Sequence, residues 1–255
     1  ARLARLTEDN AELVAAARTA LGRALESGAD TQKPMLFNAA VDLYMTTRDA
    51  ADGKRVRELA PEPTAAAVDT LLEYESEFGA FLSVGLAVTL TEEADALLAR
   101  ADNAYGVCPY AVDGRTNYFH TPAEGEVGRG NTAHLLAAAE LVAKAYKFKP
   151  VPEYRDFIYD QLNWVLGCNP AGVSLVRGLG VDGLDAWRHC PALPAAPHGA
   201  IAHGFTGRAP GDDRPALHNA GAEKPDVRTH GFSLENSAHW VGAVAQLERL
   251  RVGGQ

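Results

Sequence analysis

Residues 152–180 read PEYRDFIYDQLNWVLGCNPAGVSLVRGLG, and they divide at Gly167 into a periodic half and an irregular half. In the first half, positions 154, 157, 158, 161, 162, 165 and 166 recur with the 3.6-residue period of an amphipathic helix, interrupted only by the polar Gln161. Pro152 suits the first turn, where a missing N–H leaves no bond unmade, and Gly167 supplies the terminator. In the second half, glycine, proline and asparagine replace the periodicity. The stretch predicts a helix that stops in a tight turn and hands over to an elaborate loop.

Upstream, NTAHLLAAAELVAKAY (131–146) reads as a helix capped by Asn131, and the short connection to 152 predicts an antiparallel hairpin. Asp9 and Glu12 open an earlier helix whose stripe is Leu13, Val14, Ala17, Leu21, Ala24 and Leu25. A second runs from about Pro34 to Thr47, with Leu36, Ala40, Leu43 and Tyr44 on one face. Pro61 and Pro63 lead into a third pattern. FLSVGLAVTL (81–90) fits helix or strand, and TEEADALLARADNAY (91–105) is helical with acids at its start, as the dipole favours. Downstream, 168–232 is irregular and holds most of the histidines; such a segment in a compact domain is usually functional or disordered. A last helix, about Leu234 to Leu250, should turn Val241, Val244, Ala245 and Leu247 or Leu250 inward.

The bulk numbers exclude several functions. With 255 residues, 47% of them apolar, the chain can bury a core without disulfide staples, and one domain is the simpler reading. Twenty-four basic against 33 acidic residues leave a net charge of −9, and without a Lys/Arg run the chain is a poor binder of nucleic-acid phosphates. No run approaches the ~18 apolar residues of a membrane span. The opening ARLARLTEDN has no apolar signal core, and both a secreted and a cytoplasmic location stay open. Cys108, Cys168 and Cys190 form no C-x-x-C pair, which argues against structural zinc; a Cys168–Cys190 disulfide is left open.

The string at 154–180 resembles the helix-and-loop signature of glycoside hydrolase family 9, the inverting cellulase-like enzymes, over Leu166, Gly167, Asn169, Pro170, Gly172, Ser174, Gly178 and Gly180. GNTAHLLAAAELVAKAYKF (130–148) is similar to that family's penultimate long helix. RTHGFSLENSAHWVGAVAQL (228–247) is similar to its closing segment, with Arg228 seven residues before Glu235 and Trp240 five after. The resemblance covers about 105–250; the first hundred residues match only as generic helical hairpins. It implies an all-α fold, an (α/α) helical barrel or toroid forming a single domain over 1–255, incomplete relative to six hairpins and lacking the N-terminal part of the family's barrel.

The activity implied is hydrolysis of β-glycosidic bonds in a glucan or related saccharide with inversion, Glu235 acting as general acid. The partner would be an oligosaccharide or polysaccharide. No cofactor is expected, although some relatives bind calcium, and oligomeric state stays open. Trp187, Arg188 and His189 fall near the family's substrate histidine. Apolar ring faces and planar hydrogen-bonding groups suit a pyranose, and Tyr118 and Arg228 join them as substrate contacts.

Three departures matter. Leu234 stands where the family has Asn, and Trp187-Arg188-His189-Cys190 replaces its His-x-Arg element. Its Asp-Ala-Gly-Asp base motif has only Asp49-Ala-Ala-Asp52 as a counterpart, which makes Asp49 and Asp52 weak base candidates. These departures favour the alternative, a non-catalytic carbohydrate-binding or scaffold protein of the same fold; an epimerase or lyase on a similar toroid is a third reading. A physical objection also attaches to Glu235. Helix N-terminal N–H groups stabilise the ionised carboxylate, so burial or a neighbouring carboxylate, such as Asp226, would have to restore the proton. His198, His203 and His218 lack metal-site spacing and read as loop residues, and Asp212-Asp213 reads as a solvated turn.

Overall fold

The computed structural model describes residues 11–27, 33–59, 75–112, 115–117, 119, 130–180, 182–184, 196–207, 214–217 and 227–253. The chain divides into two compact units, Ala1–Thr89 and Leu90–Gln255.

The first unit contains α1 (Ala11–Glu26), α2 (Lys33–Thr47) and α3 (Ala50–Leu59). On α2 the expected Leu36, Ala40 and Leu43 are buried, joined by Phe37 and Val41. The stripe of α1 is thinner than its sequence suggests: Leu21 alone is buried and Leu13 is exposed. α3 starts beside Asp49, whose Oδ1 accepts the Ala51 N–H at 2.8 Å, the bond of an N-cap. Asp9 and the proline-led pattern at 60–74 lie outside the described residues. α4 (Glu75–Arg100) takes in the ambiguous run at 81–90 as helix, the outcome its continuity with the acidic segment favours.

In the second unit the end of α4 is followed by β1 (Tyr110–Val112) and β2 (Arg115–Asn117), an antiparallel pair with Ala111 opposite Thr116. Then come α5 (Thr132–Tyr146), α6 (Pro152–Leu166), a ribbon of β3 (Thr206–Gly207) and β4 (Pro215–Ala216), the single turn α7 (Val227–His230) and α8 (Leu234–Gly253). α5 packs on both α6 and α8. Pro152 opens α6 and Gly167, at φ 125°, closes it. The buried face runs through Tyr154, Phe157, Ile158, Gln161, Leu162 and Val165 as expected. It ends differently, because Leu166 is exposed while Trp164 is buried against Tyr105, Phe119 and Phe205, with ring centroids 5.1–5.9 Å away. Gln161 does not interrupt the core. Its Oε1 accepts the Cys108 N–H at 2.9 Å and its Nε2 donates to Gly106 O at 2.8 Å, so the amide pins the 106–108 loop.

The irregular segment is held by main-chain bonds between distant pieces. Leu175 N donates to Val165 O, Ala202 N to Leu175 O, His203 N to Gly231 O and Thr132 N to His203 O, all within 3.0 Å. Asn169, buried, organises the turn after α6: its Nδ2 lies 2.8 Å from both Trp164 O and Val173 O, and its Oδ1 accepts the Ala171 N–H. Asn131 precedes α5 as expected but makes no side-chain cap bond; its Oδ1 instead accepts the Phe205 N–H at 3.0 Å. The face of α8 also departs from expectation. Val241 is 64% exposed and Ala245 is exposed, while Asn236 and Ala243 are fully buried.

Candidate functional site

Asn236 explains the rotation of α8. Its Nδ2 donates to Ile201 O at 2.9 Å and Ala202 O at 3.1 Å, which satisfies the donor end of this buried amide. That contact seats the first turn of α8 on the irregular segment and leaves Glu235, its neighbour, on the exposed side of that turn. Arg228 stands on α7, and its carbonyl accepts the Gly130 N–H at 2.9 Å. The backbone web thus gathers α7, the start of α5 and the start of α8 around the 201–205 strand-like stretch.

One turn along α8 from Glu235 stands His239. Its Nδ1 donates to Glu140 Oε2 at 2.7 Å, and Lys144 Nζ donates to Glu140 Oε1 at 2.8 Å. Glu140 and Lys144 are largely buried, and His239 keeps a third of its side chain exposed. A Cβ at 242 would meet Glu140 Oε1, so a larger residue there would have to displace the carboxylate from its partners. Burial pushes the Glu140 carboxyl up, but bonds from His239 and Lys144 outweigh it and hold the group low. The Glu140 bond raises His239 above the usual imidazole value; burial opposes it, and Glu235 adds to the rise. Sequence reading missed this group. The signals were an acid and a histidine four apart on one helix, an acid and a lysine four apart on another, and a glycine in mid-helix.

Asp49 and Asp52 belong to the first unit. Arg18 Nη2 lies 2.6 Å from Asp52 Oδ2 and 2.9 Å from Asp49 Oδ2, and Thr47 Oγ1 donates to Asp52 at 2.7 Å. Asp52 is buried; desolvation raises its carboxyl, and the bonds from Arg18 and Thr47 overcome that and hold it low. Tyr118, Trp187, Arg188, His189, Asp226 and Cys190 lie outside the described residues, as do Asp212, Asp213 and His218. Among the described residues no group of three or more His, Cys, Asp or Glu side chains could hold a metal ion, so they supply no donor set for calcium. Cys168 is an exposed thiol, and burial pushes the Cys108 thiol up to about 11. Beside the Asn169 turn, Pro170, Ala171, Phe205, Arg214, Pro215, Ala216 and Leu217 line a cavity of about 790 Å³. No helix among the described residues is long and apolar enough to cross a membrane.

The family model for Glycosyl hydrolase family 9 matches residues 17–245, so the likeness reaches into the helical hairpins of the first hundred residues. No curated protein matches the chain. Among solved structures, a family 9 protein of Bacteroides ovatus is 18% identical, with a TM-score of 0.61, over 87% of this chain and 41% of that one. A single mutant of the thermostable endoglucanase from Alicyclobacillus acidocaldarius is 17% identical, TM-score 0.53, over 84% of this chain and 43% of that one. The cellulase Cel9M of C. cellulolyticum in complex with cellobiose is 16% identical, TM-score 0.52, over 86% and 51%. The chain thus spans between 41% and 51% of the length of these structures. At such identities the likeness shows the fold, which is the all-α, (α/α)-barrel class expected from the sequence.

Proposed function

The chain belongs to glycosyl hydrolase family 9, and from that membership we propose that it hydrolyses β-glycosidic bonds of a glucan or related saccharide with inversion, Glu235 serving as general acid. The observation that carries this reading is the family match, which runs through the closing segment to residue 245 and includes Glu235 on the first turn of α8. In an inverting reaction a carboxylic acid protonates the departing oxygen as the anomeric C–O bond breaks. A second carboxylate, roughly 6.5–9.5 Å away, takes a proton from the attacking water on the opposite face. Arg228 stands on the short helix that precedes α8 and is the described residue suited to a sugar hydroxyl. Trp187, Arg188, His189 and Tyr118 complete the proposed saccharide contacts, and an oligosaccharide such as the cellobiose bound by the cellulase Cel9M is the proposed partner.

The test is turnover of β-linked glucans and of chitosan oligosaccharides by the wild type and by Glu235→Gln, with the anomer of the product followed by NMR. The reading expects inverted product and a loss of about 100-fold or more in the variant, the usual contribution of a general acid. Full activity in Glu235→Gln overturns the assignment.

A second reading, a non-catalytic carbohydrate-binding or scaffold protein of the same fold, is favoured by one observation. Asp52, in the string nearest to the family's base motif, is buried and bonded to Arg18 and Thr47. Oligosaccharide binding without turnover in any preparation selects that reading.

A further inference from the structure

The irregular segment joins the end of α6 to the start of α8 on one face of the second unit. Leu175 N donates to Val165 O in the last turn of α6, and Asn236 in the first turn of α8 donates to Ile201 O and Ala202 O. The cavity of about 790 Å³ belongs to that face. Pro170 and Ala171 of the Asn169 turn form one wall and Arg214 to Leu217 another, and the buried Phe205 also lines it. Phe205 follows Ala202 by three residues, a span of at most roughly 10 Å, so the cavity adjoins the turn that carries Glu235. Its volume falls in the range of small-molecule sites, about 300–1,000 Å³. The described walls are apolar apart from one guanidinium, that of Arg214. A pyranose has the matching character, with C–H faces that are apolar and hydroxyls at its edge. The net charge of −9 disfavours an anionic polymer and leaves a neutral saccharide as the better match.

We propose that this cavity is a saccharide subsite, which holds sugars of a neutral β-glucan chain beyond the pair at the scissile bond. This rests on the reading of the chain as a β-glucan hydrolase with Glu235 at the point of cleavage. Pro170, Pro215 and Leu217 cover the C–H faces of the sugar, and Arg214 donates to its hydroxyls. Sugars seated there take no part in bond breaking, so their contacts appear as affinity that grows with the length of the substrate. Ala171 offers a way to close the subsite without disturbing its frame. Its methyl is on an exposed residue, and the bond it makes to Asn169 Oδ1 uses the backbone N–H, which any side chain at 171 except proline keeps.

Two arms test this, both on the full chain. The first adds a β-1,4-linked glucose hexamer to Glu235→Gln and looks by NMR for nuclear Overhauser contacts between the sugar ring protons and the methyls of Ala171, Ala216 and Leu217. Contacts at these methyls are expected. A hexamer that binds without them, or does not bind, overturns the proposal. The second arm measures dissociation constants by calorimetry for the glucose dimer and hexamer in Glu235→Gln, alone and combined with Ala171→Trp or Arg214→Ala. Ala171→Trp is expected to weaken the hexamer at least tenfold and Arg214→Ala about threefold, and both losses should shrink for the dimer. Equal losses at the two lengths overturn the subsite. Tighter binding of an oligouronate of six units than of the hexamer overturns its assignment to a neutral chain. Contacts at the methyls in a protein whose wild type turns over no β-glucan leave the subsite standing and fail the hydrolase reading instead.

Discussion

Glu140 Oε2 and His239 Nδ1 stand 2.7 Å apart and join α5 to α8. The pair makes stability depend on pH in two directions. His239 binds its proton more tightly folded than unfolded, so its contribution is complete below the usual value near 6.5 and is lost as pH rises through the raised value. Glu140 is held below its usual 4.5, so its contribution is present above that value and is lost as pH falls through the lowered one. Together they stabilise most between the two usual values. Solvent at the partly exposed imidazole screens the pair, and about 1 kcal/mol is the expected size. Thermal unfolding of wild type and His239→Gln at pH 5.5 and pH 9 checks this. The gap between them should be wide at the lower pH and nearly closed at the higher, and equal gaps would refute it.

Gly242→Ala pits two effects against each other. In a helix interior alanine gains up to about 1 kcal/mol over glycine. Here the new methyl would sit 2.4 Å from Glu140 Oε1, forcing the carboxylate off His239 and Lys144. A largely buried carboxylate displaced from both partners costs more than the helix gains, so a net loss of about 1–3 kcal/mol is expected. Urea denaturation measures the loss. An NMR titration of His239 in the same variant should show its midpoint falling towards the usual value.

Gln161→Leu tests whether the polar residue inside the α6 face is tolerated or needed. Leucine nearly preserves the volume, yet it strands the Cys108 N–H and the Gly106 carbonyl, both of which bond to the amide. Leaving two backbone groups unpaired should cost about 2–4 kcal/mol, and hydrogen exchange at the Cys108 amide should accelerate. A neutral substitution would mean that water replaces the amide there.

The α6 reading held because one apolar face at a 3.6-residue period needs only local sequence to be seen, and the glycine that stops it sits at a φ that side chains avoid. The Asn169 turn was legible for a related reason: its bonds close within a few residues. What escaped was set at long range. The inward face of α8 follows from Asn236 reaching the carbonyls of 201 and 202 and from His239 reaching a glutamate 99 residues away. Both are polar anchors that an apolar count leaves out, so Val241 was expected inside and lies outside. Gln161 read as a flaw for the same reason, since the loop it holds is 53 residues upstream of it.

Asp52→Asn and Asp49→Ala separate an ion pair from a catalytic base. Asp52 is buried and accepts bonds from Arg18 and Thr47, whereas Asp49 is exposed and caps α3. A bonded, buried carboxylate is placed to hold helices together, so Asp52→Asn should lower stability by about 1.5–3 kcal/mol, the worth of a charge-assisted bond. Asp49→Ala should cost about 1 kcal/mol through the lost cap. The Asp52 loss should also grow less marked below pH 4, because a carboxyl held low contributes only while it is ionised. If the pair is structural, the rate on a β-glucan, corrected for the folded fraction, is unchanged in both variants. A loss of 100-fold or more in that corrected rate would instead make one of them the base.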